Sequence, residues 1–283
     1  MTKSTSSHTC LNCGNHFTGS YCNQCGEKVY SDHDKSIGHL VEEAFHFLTH
    51  FEGSFFHTIK TIVKKPGQFS LDYCNGLRKK YFKPVSLFML LVVLYLLFPR
   101  FTGLNMQLGS LKEEQYDFTW LTVPVIEKKM AARSINFDTL SGEYHKTSAA
   151  VSKISLFLLI PLLSLLTYLL YYRKKKKIYD HFVVCTEILS FIIALNFLII
   201  PLIAVVVEKV FKNVQTFVID DNWIARSLFL LINISFVYLV FRNFFKDPAW
   251  LTIIKSIAFF LVSIYVILYL YQSIVFLVTM LFI

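Results

Sequence analysis

Long runs of apolar residues alternate with short polar and basic stretches along most of the chain. A helix needs about 20 apolar residues to cross the hydrocarbon core of a bilayer. The runs near or above this length are residues 84–99, 154–172, 182–207, 223–241 and 251–280. The pattern predicts an α-helical integral membrane protein with about five transmembrane helices in a domain spanning 84–283. The first and fourth runs are short for a crossing, and residues 100–153 would form a long loop.

The chain before the first run is polar and then amphipathic. Residues 1–9 are expected to be a disordered lead-in, and residues 30–83 a juxtamembrane region. Apolar side chains recur at helical spacing over residues 37–64, namely Leu40, Ala44, Phe47, Leu48, Phe51 and Phe55. This spacing predicts an amphipathic helix at the membrane surface, ended by Pro66-Gly67.

Composition also favours a chain that folds in lipid. Hydrophobic residues make up 54% of the chain and charged residues only 17%, which is little charge to cover a soluble protein of this length. The net charge is +9, but the basic residues cluster at the ends of the apolar runs. Such clusters favour membrane orientation and contact with anionic lipids over binding of nucleic acid.

The basic clusters predict how the helices are oriented. They lie at 60–83, 173–177 and 242–246, on one side of the membrane if five helices cross. The positive-inside rule makes that side the cytoplasm. Residues 1–35 contain no apolar core like that of a signal peptide, so the N-terminus is also expected in the cytoplasm. The loop 100–153 and the C-terminus would then lie on the outer side.

Four of the six cysteines are close to the N-terminus, at a spacing typical of a zinc site. Cys10-x-x-Cys13 and Cys22-x-x-Cys25 each form a turn that can present two thiolates to one metal. Four sulfur ligands with no open position predict a structural zinc ribbon at 10–26, folded largely by the metal. The alternatives are an iron–sulfur cluster, a rubredoxin-like iron, four free thiols and a redox pair. The ribbon has few basic residues, which favours a cytoplasmic protein partner over nucleic acid.

Four histidines follow the ribbon at spacings of 7, 4 and 7, namely His39, His46, His50 and His57. On one continuous helix they would share a face and could form a second metal site or a pH-sensitive surface. The favoured interpretation is the polar face of an interfacial helix, because Gly53 is expected to interrupt the helix before His57.

A basic and aromatic stretch precedes the first apolar run. Its cations Arg78, Lys79, Lys80 and Lys83 lie among tyrosine and phenylalanine residues, which suit the headgroup region. They are candidates for a collar that binds lipid headgroups, although ordinary anchoring to the membrane is the favoured interpretation.

Two charged residues lie inside predicted transmembrane helices, where charge is costly. Glu187 and Lys255 lie at similar depth from the cytoplasmic end, so we predict that they pair or line one polar cavity. They could belong to a proton or substrate path, but a structural pair near the interface is favoured. Asn196, Asn233 and Gln272 are candidates for hydrogen bonds between helices.

The order of motifs resembles a known family. After the ribbon come Lys60-Thr61-Ile62, Lys65-Pro66-Gly67, Tyr73-x-x-Gly76-x-Arg78-Lys79-x-Tyr81-x-x-Pro84 and Tyr179-Asp180-His181-Phe182-Val183. Together they resemble the bacterial membrane family catalogued as domain of unknown function 3667, common in Bacteroidetes. The resemblance covers most of the chain and is most specific in residues 10–84. It implies a protein of the bacterial inner membrane with a cytoplasmic zinc ribbon, and it implies no established activity. Glu187 departs from the family's histidine-richer pattern there, which weakens a family-wide metal or proton role for that position.

Three functional hypotheses remain open. The sequence has no Ser-His-Asp set, HExxH motif, phosphate-binding glycine loop or paired-carboxylate motif, so an enzyme is not expected. The favoured hypothesis is a non-enzymatic interaction, scaffold or regulatory protein that uses the zinc ribbon. The alternative is a small oligomeric transporter or permease with Glu187 and Lys255 in a polar path. The third is a lipid-binding or lipid-moving protein that uses the basic collar.

Overall fold

The computed structural model describes residues 7–10, 14–24, 53–77, 80–97, 104, 106–112, 119–210 and 223–283. The chain divides into two units, Met1–Gly53 and Ser54–Ile283. Most of the predicted amphipathic helix, up to residue 52, lies outside the described residues. Each unit has a core of its own.

The N-terminal unit contains a short antiparallel hairpin. Strand β1 is Ser7–Thr9 and strand β2 is His16–Thr18. Side chains alternate across a strand, so the central Phe17 of β2 is buried while its two neighbours are exposed. Phe17 packs with Cys10 and Cys22 in a small core.

The second unit is helical. Its α-helices are α1 Gly53–Lys64, α2 Gln68–Cys74, α3 Pro84–Leu96, α4 Thr119–Arg133, α5 Phe137–Ser155, α6 Leu159–Leu170, α7 Ile178–Ile192, α8 Ile200–Val210, α9 Trp223–Phe245, α10 Ala249–Tyr265 and α11 Gln272–Phe282. The shorter elements are the 3-10 turns Ser110–Lys112, Leu156–Leu158 and Tyr172–Lys174 and the π-helical segments Ile193–Ile199 and Val266–Tyr271.

Four continuous helices in the described chain are long and apolar enough to cross a membrane. They are Phe137–Leu170, Ile178–Ile203, Ser227–Phe245 and Ala249–Phe282. Four of the five predicted crossings are thus confirmed in length and composition. The first predicted crossing, α3, has 13 residues. At 1.5 Å per residue it is about 20 Å long, shorter than the ~30 Å hydrocarbon core.

Helix α3 nevertheless connects the two ends of the bundle. It begins at Pro84, directly after the α1–α2 segment. Near its other end, the Lys153 ammonium of α5 lies 4.7 Å from the centroid of the Tyr95 ring. The backbone carbonyl of Leu104, farther along, accepts a hydrogen bond from Gln272 at the start of α11. The chain therefore passes from the α1–α2 end of the bundle to the end where α5 and α11 meet.

Two prolines inside the apolar helices are accommodated by changes of helix type. Proline lacks the N–H that would bond the carbonyl four residues earlier. Pro161 lies in α6, just after the 3-10 turn Leu156–Leu158. Pro201 lies in α8, just after the π-helical segment Ile193–Ile199. Both helices continue through the proline because the preceding turn changes its hydrogen-bond register.

Much of the predicted loop 100–153 is helical, since it contains α4 and most of α5. The Asn136 side chain caps α5 by accepting a hydrogen bond from the Thr139 N–H at 2.9 Å. Helices α5 and α6 form one continuous helix of 34 residues, and α11 packs along its α5 part. A second core at this end contains Leu108, Leu111, Ile126, Leu140, Tyr144, Phe276 and Met280. The loop therefore forms a helical cap against the end of the last apolar helix.

Aromatic stacking joins α9 to its neighbours in the main core. Tyr171, between α6 and α7, stacks on Phe245 of α9 with ring centroids 3.6 Å apart. Phe191 of α7 stacks on Phe236 of α9 at the same distance, 3.6 Å. Such pairs add to the stabilisation from apolar burial. They hold α7 and α9 side by side, and both helices contribute to the site described below.

Candidate functional site

The site is centred on the turn Lys65-Pro66-Gly67, which joins α1 to α2. Proline and glycine end α1 as predicted, and Gly67 has a positive φ of 84°. A Cβ at Gly67 would lie 2.6 Å from the Val240 carbonyl oxygen of α9. Only glycine fits this position without displacing α9, so the Pro-Gly motif reflects a close approach of two backbones.

The carboxylate of Glu187 on α7 holds the start of α2. One of its oxygens accepts the Gly67 N–H at 2.7 Å, and the other accepts the Ser70 N–H at 3.1 Å. The Ser70 hydroxyl donates to the same carboxylate. Backbone N–H groups at a helix start have no partner within the helix, and a negative charge there is favourable. Glu187 is fully buried, so these donors replace the water that it loses.

Helix α9 supplies a second attachment to the turn. The Asn243 side-chain amide donates to the Pro66 carbonyl at 2.7 Å. The turn is therefore fastened to α7 through Glu187 and to α9 through Asn243. We call this arrangement, with residues 65–70, the Glu187 clamp.

The predicted pair of Glu187 and Lys255 does not form. The Lys255 ammonium lies 2.8 Å from a carboxylate oxygen of Asp247 and 4.0 Å from the Tyr171 ring centroid. Lys174 lies 2.5 Å from the other oxygen of Asp247. A lysine side chain near a helix start can reach back to a carboxylate just before the helix, and Lys255 does so.

Asp247 itself is nearly buried between two lysines. Burial alone would raise the pKa of its carboxyl, but the hydrogen bonds from Lys174 and Lys255 outweigh burial and lower the pKa. Asp247 therefore remains charged and pins the start of α10 to the connection after α6.

The predicted hydrogen bond between helices is present for Asn196 and Asn233. Asn196 donates to Asn233 at 3.2 Å, which joins the π-helical segment after α7 to α9. Gln272 at the start of α11 donates instead to the backbone carbonyl of Leu104, which lies in the connection after α3 and not in a helix. These bonds satisfy amide groups among apolar helices, as expected.

A basic cavity lies beside the clamp. Its volume is about 440 Å³. Its lining residues are His57, Lys60, Thr61, Lys64, Lys65, Gln68, Asp72, Lys80 and Tyr81. We call this cavity the lysine basin. Its lining has four lysines and one carboxylate, so it is strongly positive.

The single carboxylate of the basin is engaged in hydrogen bonds. Asp72 accepts the Tyr81 hydroxyl at 2.6 Å and the Gln68 amide at 2.5 Å, while Lys80 lies 3.9 Å away. Burial, followed by the bond to Asp72, raises the pKa of Tyr81 to about 12, so its hydroxyl stays protonated. Asp72 thus organises the basin floor and neutralises only part of the lysine charge.

The sequence predicted only part of the basin. Lys80 of the predicted collar lines it, and Lys83 is exposed just before α3. Arg78 and Lys79 lie outside the described residues. Lys60, Lys64 and Lys65 had been interpreted only as orientation signals. The spacing of Lys60 and Lys64, four residues apart on one helix face, was the signal that could have found them.

Of the histidine stripe, only His57 lies within the described residues. Its ring centroid is 5.2 Å from that of Tyr81, and its Nε2 is buried with no hydrogen-bond partner in the described chain. His57 therefore belongs to the basin wall, and a second metal site at the stripe stays a prediction.

Two of the four predicted zinc ligands are described. Cys10 and Cys22, one from each Cys-x-x-Cys pair, are buried in the same core. The Asn15 amide donates to the Cys22 sulfur at 3.8 Å, and Gly14, directly after Cys13, has a φ of 73°. Cys13 and Cys25 lie outside the described residues. Among the residues that the structure describes, no group of three potential metal ligands is found. The zinc ribbon therefore stays a prediction.

Residues 52–96 match the model of a family described as "Protein of unknown function (DUF3667)". The matched segment contains α1, the clamped turn, α2 and α3, and it supports the resemblance drawn from the sequence motifs. No curated protein and no solved structure matches the chain.

Proposed function

We propose that this chain is a membrane protein that binds the phosphate of an anionic lipid in the lysine basin. The observation that supports the proposal is that four lysines surround one carboxylate, Asp72, which is already hydrogen-bonded to its neighbours. The same unit contains helices that are long and apolar enough to cross a bilayer. Lysine is a common point-charge ligand of phosphate. The basin also lies within the segment matched by the family model.

Charge and surroundings favour a lipid as the source of the phosphate. A juxtamembrane lysine contributes about 1 kcal/mol of attraction to an anionic membrane surface. By the positive-inside rule, the basin and the basic run 173–177 would face the cytoplasm of a bacterial inner membrane. The cap formed by α4 and α5, and the end of α11, would then face outward.

Lipid titrations of the purified full-length protein in neutral detergent test this proposal. The probes are phosphatidylglycerol, phosphatidylcholine and inorganic phosphate, and the readout is native mass spectrometry. The basin variant is Lys60→Gln/Lys64→Gln, and the matched control is Lys128→Gln/Lys146→Gln, which removes two exposed lysines from α4 and α5.

We expect the basin variant to lose affinity for phosphatidylglycerol by roughly fivefold per lysine, since about 1 kcal/mol is lost with each. Affinity for phosphatidylcholine should change little, and the control should behave as the wild type. Displacement of the lipid by millimolar inorganic phosphate would assign the basin to a soluble phosphate compound instead. Equal losses in the variant and the control would refute a built anion site.

The N-terminal unit carries a second proposal. We infer that Cys10, Cys13, Cys22 and Cys25 hold one structural zinc ion and that the ribbon docks a cytoplasmic protein. The shared core of Cys10 and Cys22 supports this assignment. Metal analysis of the purified chain should find one zinc ion, and Cys22→Ser/Cys25→Ser should lose both the metal and the co-purifying partner. A wild-type chain without metal would refute the proposal.

The transporter hypothesis has less support. Its polar path required Glu187 and Lys255 to act together, but each has separate partners. The apolar cavity between α6, α7, α9 and α10 has Asn196, Asn233 and Ser263 as its polar lining residues. We therefore favour lipid binding over transport of a polar substrate.

A further inference from the structure

Helix α1 separates the lysine basin from a second cavity. Lys60 and Lys64 line the basin, whereas Ile59, Ile62 and Val63 line an apolar groove of about 250 Å³. The other walls of the groove are α3 and the end of α7 with the π-helical segment Ile193–Ile199. Residues three or four apart share a helix face, so the sequence of α1 assigns its two sides to two different environments.

The groove opens on the outer surface of the bundle. Val63 at one side is 64% exposed, and Ile199 at the other is 47% exposed. Both side chains are apolar, and they belong to helices that pack beside apolar α3. If the bundle lies in a bilayer, lipid chains are the molecules that reach this opening.

Ser190 is the exception in the apolar lining. It is 2% exposed, and its hydroxyl is buried with no hydrogen-bond partner in the described chain. Serines inside helices usually donate to the carbonyl four residues earlier, as Ser256 does here to Thr252 at 2.8 Å. A buried hydroxyl without a partner is unfavourable, so this group is suited to an acceptor supplied by a ligand.

The chemistry of the groove restricts that acceptor. A buried water needs roughly two to four polar partners. Ser190 is the sole polar side chain among the residues that line the groove, so a water alone would lack partners there. A fatty-acid carboxylate would be buried without a cation, which is costly. A neutral carbonyl attached to an apolar chain fits both limits. The π-helical segment begins three residues after Ser190, and such segments are frequent at functional sites.

We propose that the groove binds an acyl chain of a diacyl glycerophospholipid and that the Ser190 hydroxyl donates to its ester carbonyl. The same lipid places its phosphate in the lysine basin across α1. This inference rests on the proposed function for the phosphate, and it adds a recognition element for the chain and its ester link. The lipid would contact both sides of α1, next to the clamp that fixes the end of this helix.

Two ratios of affinity test the groove and the basin separately. The full-length protein in detergent is titrated with ester-linked phosphatidylglycerol, its ether-linked analogue and ester-linked phosphatidylcholine. The ester-to-ether ratio reports on Ser190, because the ether lacks the carbonyl. The phosphatidylglycerol-to-phosphatidylcholine ratio reports on the basin lysines.

Matched variants accompany these titrations. Ser190→Ala removes the hydroxyl, and its control is Ser256→Ala, a buried serine whose hydroxyl bonds its own helix. Ala194→Leu fills the groove, and its control is Ala258→Leu, a half-buried alanine of α10 outside the groove lining. Thermal unfolding of each variant verifies that it is folded.

The wild type should prefer the ester lipid by about fivefold, the value of one neutral hydrogen bond. Ser190→Ala should reduce this ratio to one, and Ser256→Ala should retain it. Ala194→Leu should weaken binding of all three lipids at least tenfold while the headgroup ratio stays at the wild-type value. Lys60→Gln/Lys64→Gln should lower the headgroup ratio and keep the ester preference.

Failure of the inference and failure of the proposed function have different signatures. A wild type that selects phosphatidylglycerol but binds ester and ether lipids equally overturns the role of Ser190 and leaves the basin intact. Unchanged affinity in Ala194→Leu overturns the groove as the chain site. An ester preference without headgroup selection overturns the phosphate site and the single-lipid arrangement that depends on it.

Discussion

Replacing Glu187 by glutamine keeps the size of the side chain but removes the charge on which the clamp depends. The carboxylate accepts the Gly67 N–H at 2.7 Å, the Ser70 N–H at 3.1 Å and the Ser70 hydroxyl. Glutamine has one acceptor oxygen, and its NH₂ group would face a backbone donor. One of the two N–H groups therefore loses its acceptor. The Ser70 hydroxyl can turn to the Val183 carbonyl, 3.4 Å away.

The expected destabilisation follows from these contacts. A hydrogen bond to a charged group contributes about 1.5–3 kcal/mol, and an unsatisfied buried donor costs about 1–3 kcal/mol. The neutral side chain avoids the desolvation of a carboxylate, which offsets part of the loss. We expect a net decrease of about 2–4 kcal/mol in the free energy of unfolding. In a thermal melt this corresponds to a decrease in Tm on the order of 5–10 °C.

Thermal unfolding in detergent measures this effect. The control is Glu127→Gln, the same change at an exposed position of α4. A double-mutant cycle with Ser70→Ala isolates the direct contact, and residues in one hydrogen-bond network should couple by about 0.5–3 kcal/mol. If Glu187→Gln and Glu127→Gln have the same Tm and the double-mutant cycle gives no coupling energy, the clamp is not the role of Glu187. A folded Glu187→Gln variant that had lost the function of the wild-type protein would then restore the hypothesis of a polar transport path.

Three further changes test other parts of the structure. Gly67→Ala should destabilise the protein more than Gly76→Ala; both have positive φ, but only at Gly67 does a Cβ meet backbone, at 2.6 Å, and comparing their Tm values checks this. Asp247→Asn should cost about 2 kcal/mol at neutral pH, because two lysines lose their charged partner. Since the folded pKa of Asp247 is lowered, its stabilisation is complete above the unfolded pKa of about 3.9 and is lost as the pH falls through the folded value. The stability difference between wild type and Asp247→Asn should therefore be constant from about pH 5 to 8 and shrink below about 4; a constant difference into acid would refute the pairing. Phe276→Ala should remove about 3–5 kcal/mol of local stability from the cap and speed hydrogen exchange in α4, whereas unchanged exchange would separate α4 from that core.

The sequence by itself determined where the apolar helices lie. Four of the five predicted crossings match helices of sufficient length, because the pattern of transfer free energies along a chain is a local property. The end of α1 at Pro66-Gly67 was also predictable, since proline and glycine act on their own backbone. The Asn196–Asn233 bond followed from the rule that amides inside apolar helices find each other.

The tertiary structure decided which partner each polar group has. Glu187 was predicted to contact Lys255 because both are charged and lie at similar depth, yet its partners Gly67 and Ser70 are 120 and 117 residues away and uncharged. No hydropathy pattern identifies a backbone N–H as the partner of a carboxylate. Lysines from α1 and from the stretch before α3 form one basin only because the clamp folds α2 back between them. Periodicity is set by each residue's own preference for lipid or water, whereas the choice of partner depends on how the helices pack.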